Sequence, residues 1–232
     1  IVYLDGGSGE PLLLLHGFGA NKDNWIQIAP LLSPHYRLII PDLPGFGDST
    51  RDFERRYGAD DQIARLLAFV TALDVGPVHI GGNSMGGYLA GLFAARYPEA
   101  VKSLWLLAPA GVEAADPSEY FLALERGENP LLVNDAADFA RLVNLCFTKA
   151  PYVPKAFQRC LCERNVAERV FNEKIFTELF TDPVSLHPSG AGVLDKLLAN
   201  VETHVMKRMG HCPMLERPAE TAELFLKFQR AA

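Results

Sequence analysis

The chain has 232 residues, 49% of them hydrophobic, enough to bury a large core, and its formal charge of −6, from 22 basic and 28 acidic side chains, argues against a nucleic-acid partner. Cys146, Cys160, Cys162 and Cys212 have neither zinc-ligand spacing nor the pattern of a secreted disulfide framework and read as free thiols; no apolar run is long enough to span a membrane. No signal peptide is visible, which favours a cytoplasmic protein, although residues 1–4 already read as a strand and are compatible with a leader or anchor upstream.

Along the chain, strand and helix signals alternate. Residues 12–15 are four leucines ending in His16-Gly17-Phe18-Gly19, as expected of a buried parallel strand entering a tight loop. Asn21 or Asp23 is placed to cap a helix with Trp25, Ile26, Ile28, Ala29, Leu31 and Leu32 on its apolar face. A second strand over 37–40 runs into a turn-rich loop, D-L-P-G-F-G-D-S at 42–49, followed by a helix over about 59–73. A third strand over 78–81, a helix over 88–97 and a fourth strand over 101–107 follow.

From about 116 to 180 only helical segments are legible, broken at Pro130, Pro151 and Pro154. A strand pattern resumes over 203–209 and a last amphipathic helix covers 218–229. The pattern predicts an α/β fold, a mainly parallel sheet with helices on both faces, formed by 1–115 and 187–232, with a helical cap inserted at 116–186. Ligand sites in such sheets lie beyond the carboxyl ends of the strands, where His16, Ser84 and His211 all fall.

Gly82-Asn83-Ser84-Met85-Gly86 sits between the third strand and its helix. A serine on so tight a turn is forced into a strained conformation that exposes its hydroxyl, and the helix that starts beside it directs unpaired N–H groups at a developing anion. Ser84 is therefore the candidate nucleophile rather than an incidental turn residue. A serine hydroxyl needs a base, and His211, in G-H-C-P-M-L-E-R-P, is the candidate; His16 is expected to brace its own loop. The backbone amides of Met85 and Phe18 are candidate oxyanion donors. The side chains of Phe18, Met85, Phe147, Met214 and Leu215 are candidates to line an apolar pocket.

With H-G-F-G at 16–19, D-L-P-G-F-G-D-S at 42–49, G-N-S-M-G-G at 82–87 and G-H-C-P-M-L-E-R-P at 210–218 in this order, the chain resembles the α/β-hydrolase superfamily over nearly its whole length. The resemblance is to a branch of serine esterases and lipases close to the meta-cleavage-product hydrolases. It implies a catalytic triad, with a helical cap over Ser84. It also implies a further apolar strand ending in a Gly-x-x-Asp loop before the last strand, and none is found between Phe180 and Thr203. About twenty residues are missing by the usual size of a strand with its loops, and the sequence reads as two pieces joined near Leu186 and His187. In a continuous chain Asp182 is the nearest substitute acid, with Asp195 behind it; Glu113 and Asp116 follow the fourth strand slightly late, and Ala108 occupies the alternative acid position.

The expected function is hydrolysis of carboxylic esters with short to medium apolar acyl or alcohol groups through an acyl-enzyme, with no cofactor and no metal. Carbon–carbon bond hydrolysis of a meta-cleavage-type diketone uses the same residues. A binding module with weakened catalysis is the reading the absent acid would favour. Of the aromatic and aliphatic groups in the insertion, among them Tyr152 and Phe157, most are expected to pack the cap.

Overall fold

The computed structural model describes residues 1–112, 118–180 and 201–231. Five strands, β1 (Tyr3–Gly6), β2 (Glu10–Leu15), β3 (Tyr36–Pro41), β4 (Val78–Asn83) and β5 (Val101–Leu107), form one sheet in the order β1-β3-β2-β4-β5. β1 is antiparallel to β3, and the remaining pairs are parallel. The leucines of β2 explain its central position. Leu13 and Leu15 face one layer with Ile39, Val78 and Ile80, while Leu12 and Leu14 face the other with Leu38, Ile40 and Trp25. All four leucines are fully buried, as a strand covered on both faces requires.

One face of the sheet is covered by α2 (Ala59–Leu73) and α3 (Met85–Arg96). α2 presents Ile63, Leu66 and Val70, three and four residues apart, and α3 is buried from Met85 to Ala94. The other face is covered by α1 (Ala29–Leu32), α7 (Pro213–Glu216) and α8 (Pro218–Ala231), whose Phe225 stacks on Trp105 with ring centroids 4.4 Å apart. The single helix expected around Trp25 is instead a 3₁₀ turn (Lys22–Trp25), capped by the Asn21 side chain, followed by the one-turn α1. Pro30, which lacks an N–H, starts the second piece; the break leaves Ile26 and Leu31 exposed while Trp25, Ile28 and Leu32 are buried.

Residues 118–180 supply α4 (Glu119–Glu125), α5 (Ala136–Cys146) and α6 (Lys155–Phe180). Ser118 and Asp135 cap the first two, and the three prolines fall between helices. α6 buries Phe171, Ile175 and Leu179, four residues apart, against Tyr57 and the loop after β3, where Glu178 accepts the Tyr57 N–H at 2.5 Å. Tyr152, in the link before α6, and Phe157, in its first turn, stand 91% and 66% exposed and are not among the apolar groups of this region that pack.

The strand expected over 203–209 does not form: residues 201–206 are irregular, and Val201 and Val205 are exposed. A strand needs a ladder partner, and no described strand lies beyond β5 to supply one. The expected junction near Leu186 and His187 lies outside the described residues.

Candidate active site

Ser84 occupies the joint between β4 and α3 with φ 56° and ψ −119°, a left-handed conformation that a residue with a side chain adopts only under strain. The joint is tied on both sides. Ser84 N donates to Leu107 O at 3.0 Å, and its own carbonyl accepts from Tyr88 N and Ala110 N, each at 3.0 Å. Glycine is required on either side by close approach rather than by dihedral angle. A Cβ on Gly82 would lie 2.2 Å from the Gly86 carbonyl, and one on Gly86 would lie 2.3 Å from Leu15 O.

The His16–Gly19 loop lies against this turn, since a Cβ on Gly17 would approach the Ser84 Cβ to 3.3 Å. His16 fixes the loop. It is fully buried, its Nδ1–H donates to Gly17 O at 2.8 Å, and its Nε2 accepts the Leu43 N–H at 3.0 Å. That pairing requires the neutral ring, and burial pushes its pKa down to about 4. His16 thus joins the loop after β2 to the loop after β3. The latter is built on buried Asp42, which accepts from Lys22 N and Asp48 N, each at 2.7 Å. Phe18 stands between Phe46 of that loop and Phe176 of α6, with ring centroids 5.6 Å apart in each pair.

His211 is brought to the same place by its backbone. Asn83 Nδ2, one residue before Ser84, donates to His211 O at 2.8 Å and to Leu107 O at 3.0 Å. From the other side His211 N donates to Cys146 O at the end of α5 at 2.7 Å. One side chain therefore holds three segments together at the carboxyl ends of the strands. Among the described residues no direct hydrogen bond joins Ser84 Oγ to the His211 ring; such bonds in ligand-free enzymes often form only with substrate. Burial lowers the His211 pKa from the ordinary imidazole value.

The residues named from sequence fall into two groups. Phe18, Phe147 and Leu215 are half-buried, whereas Met85 and Met214, expected to line a pocket, are 1% and 0% exposed and pack in the two core layers. They lie in the first turns of α3 and α7, just after Ser84 and His211, and face the core layers on either side of the sheet. Asn83, Phe46 and Phe176 were not singled out from sequence. Asn83 was visible only as the variable letter of G-x-S-x-G, and Phe176 joins the site only through the docking of α6. Asp182, Asp195, Glu113 and Asp116, the acid candidates, lie outside the described residues.

Among the described residues no group of three or more His, Cys, Asp or Glu side chains is arranged to hold a metal ion. No described helix is long and apolar enough to cross a membrane. A groove of about 450 Å³ between α1 and α8, lined by Leu31, Ala222 and Leu226 among others, contains none of the site residues.

A nucleophile elbow at the carboxyl edge of a mainly parallel sheet, with a histidine loop latched beside it, defines a hydrolase architecture. The family model described as the alpha/beta hydrolase fold matches residues 10–150. The chain belongs to that family and is a lipase-like hydrolase. It is 33% identical to Lipase 3 of Moraxella sp. (strain TA144) over an alignment covering 97% of this chain and 79% of that protein. Among solved structures it is similar to a membrane phospholipase A described as a bacterial virulence factor, with TM-score 0.92 and 40% identity, covering 99% of this chain and 82% of the other. It is also similar to a meta-cleavage product hydrolase from Pseudomonas fluorescens IP01, with TM-score 0.76 and 26% identity over 99% of this chain and 93% of that one. The alignment with Lipase 3 extends over 249 positions, more than the 232 residues of the chain, so that relative carries residues with no counterpart here.

Proposed function

We propose that the chain hydrolyses carboxylic esters of short to medium apolar acyl or alcohol groups, with Ser84 as nucleophile and His211 as general base. The observation that carries this reading is the strained Ser84 elbow with the His211 backbone latched to the adjacent Asn83 at 2.8 Å. Ser84 Oγ attacks the ester carbonyl carbon while His211 takes its proton, and the Met85 and Phe18 amides donate to the resulting oxyanion. Collapse of the tetrahedral intermediate expels the alcohol, protonated by His211. Water, deprotonated by the same ring, then releases the acid from Ser84.

Apolar specificity is supported by the aromatic run from Phe46 through Phe18 and Phe176 to Phe180, and by the lipase and phospholipase A relatives. The partner on this reading is a small apolar ester, and no cofactor takes part. Without an acid to orient His211 the pair works slowly, because in serine proteases replacing the triad aspartate costs about 10⁴ in turnover while the oxyanion donors continue to act.

The test is hydrolysis of p-nitrophenyl esters of increasing acyl length by the protein and by Ser84→Ala. Turnover that is abolished by the substitution and has an optimum in acyl length is the expected result. Turnover retained by Ser84→Ala would remove the assignment. A second reading, hydrolysis of the carbon–carbon bond of a meta-cleavage-type diketone, is favoured by the likeness to the meta-cleavage product hydrolase. It predicts turnover of a dienoate diketone with little ester cleavage. The binding-module reading predicts ligand affinity unchanged by Ser84→Ala and no covalent adduct at Ser84.

A further inference from the structure

Where the insertion meets the sheet, α5 ends on the histidine loop. His211 N donates to Cys146 O at 2.7 Å, Thr148 N donates to Glu216 Oε2 at 3.0 Å, and Gly210 N donates to Glu216 Oε1 at 3.3 Å. This seam brings together two cysteines that are far apart in sequence. Cys212, next to the proposed base, is buried, with its Sγ 3.8 Å from Asn83 Oδ1; Cys146, the last residue of α5, is half-buried and packs against the same apolar cluster.

We propose that Cys146 and Cys212 are a disulfide-forming pair, a modification site that fastens the end of α5 to the His211 loop. The hydrogen bond between Cys146 and His211 holds the two backbones together one residue from Cys212, and the two thiols are in contact across this seam. The thiols also differ in character. Their mutual contact draws the Cys146 thiol below its ordinary pKa, while that contact and burial push Cys212 up. Cys146, partly open to solvent, is the thiol an oxidant reaches first, and buried Cys212 the resolving thiol.

With hydrogen peroxide as oxidant, the Cys146 sulfur forms a bond to one peroxide oxygen as the O–O bond breaks and hydroxide leaves. The Cys212 sulfur then attacks the sulfenic sulfur. The S–S bond forms, the S–O bond breaks, and the departing hydroxide leaves with a proton as water. In total two thiols lose two electrons and two protons, and one peroxide becomes two waters. Closing to the S–S length of about 2.05 Å draws Cys212 toward α5 and away from Asn83.

The effect on turnover rests on the proposed role of His211: displacing its loop is expected to slow ester hydrolysis about tenfold or more. The bridge itself does not rest on that role. The test uses the full chain carrying Cys160→Ser and Cys162→Ser, treated with hydrogen peroxide, its thiols counted and its peptides mapped by mass spectrometry. One intramolecular bridge between the peptides holding Cys146 and Cys212, reversed by a dithiol, is expected, together with a reversible fall in turnover that Cys146→Ala abolishes. Two thiols left free, separate over-oxidation of each, or bridging only between molecules overturns the pair. A bridge that leaves turnover unchanged overturns its connection to His211. If neither redox state cleaves esters, the function fails while the thiol count still decides the bridge.

Discussion

Replacing Ser84 by glycine should make the protein more stable while removing its proposed activity. At φ 56° and ψ −119° a residue bearing a Cβ is strained, and such conformations cost about 1–3 kcal/mol each. Glycine removes that cost but adds conformational freedom to the unfolded chain, worth about 0.4–1 kcal/mol in the opposite direction. Ser84→Ala is the control, since it removes the hydroxyl and keeps the Cβ. Taking the middle of both ranges, Ser84→Gly should exceed Ser84→Ala by about 1 kcal/mol. For a chain of this length that is a rise in melting temperature of about 2–4 °C. Urea unfolding of both variants, followed by tryptophan fluorescence, measures the difference at equal slope. A glycine variant no more stable than the alanine variant would refute the claim that the elbow stores strain.

Further outcomes follow from the same geometry. With its pKa lowered to about 4 by burial, His16 is unprotonated in the folded state well below the ordinary imidazole value of about 6.5, where the unfolded chain already binds a proton. Its contribution is therefore complete above about pH 6.5 and is lost as pH falls toward 4, amounting to about 3 kcal/mol; denaturant midpoints across that window should fall with pH and fall less in His16→Asn. His211 is also lowered, so the acidic limb of kcat/KM should have its midpoint below that of a solvent-exposed histidine; a midpoint above it would count against His211 as the base. Asn83→Leu leaves the His211 carbonyl without its donor, while Leu107 O keeps the Ser84 N–H, and should cost about 1–3 kcal/mol, with a loss of kcat larger than that of stability alone if the latch positions the base. Gly45→Val places a Cβ at φ 91° and 2.6 Å from Ile175 Cδ1, and should loosen α6, read as faster proteolysis within 155–180 and a melting temperature lower by several degrees.

The sequence by itself determined the two-faced parallel sheet, because the leucines at 12–15 and the runs at 38–40 and 78–81, buried throughout, have no exposed face to offer, and 101–107 adds an edge strand that is buried only in part. It also determined the elbow, since G-x-S-x-G between a strand and a helix admits few backbone paths, and the helical character of residues 118–180, punctuated by their prolines. Tertiary structure alone decided which side chains meet. Asn83 becomes the latch for His211 only because β4, β5 and the histidine loop converge on it. Met85 and Met214 turn inward with their helices, and Cys146 meets Cys212 only when α5 docks. The strand pattern at 203–209 depends on a partner, and the described sheet ends at β5. Local periodicity records what each segment prefers by itself, whereas a ladder, a latch or a thiol pair is a property of two segments at once, set by how their apolar faces pack.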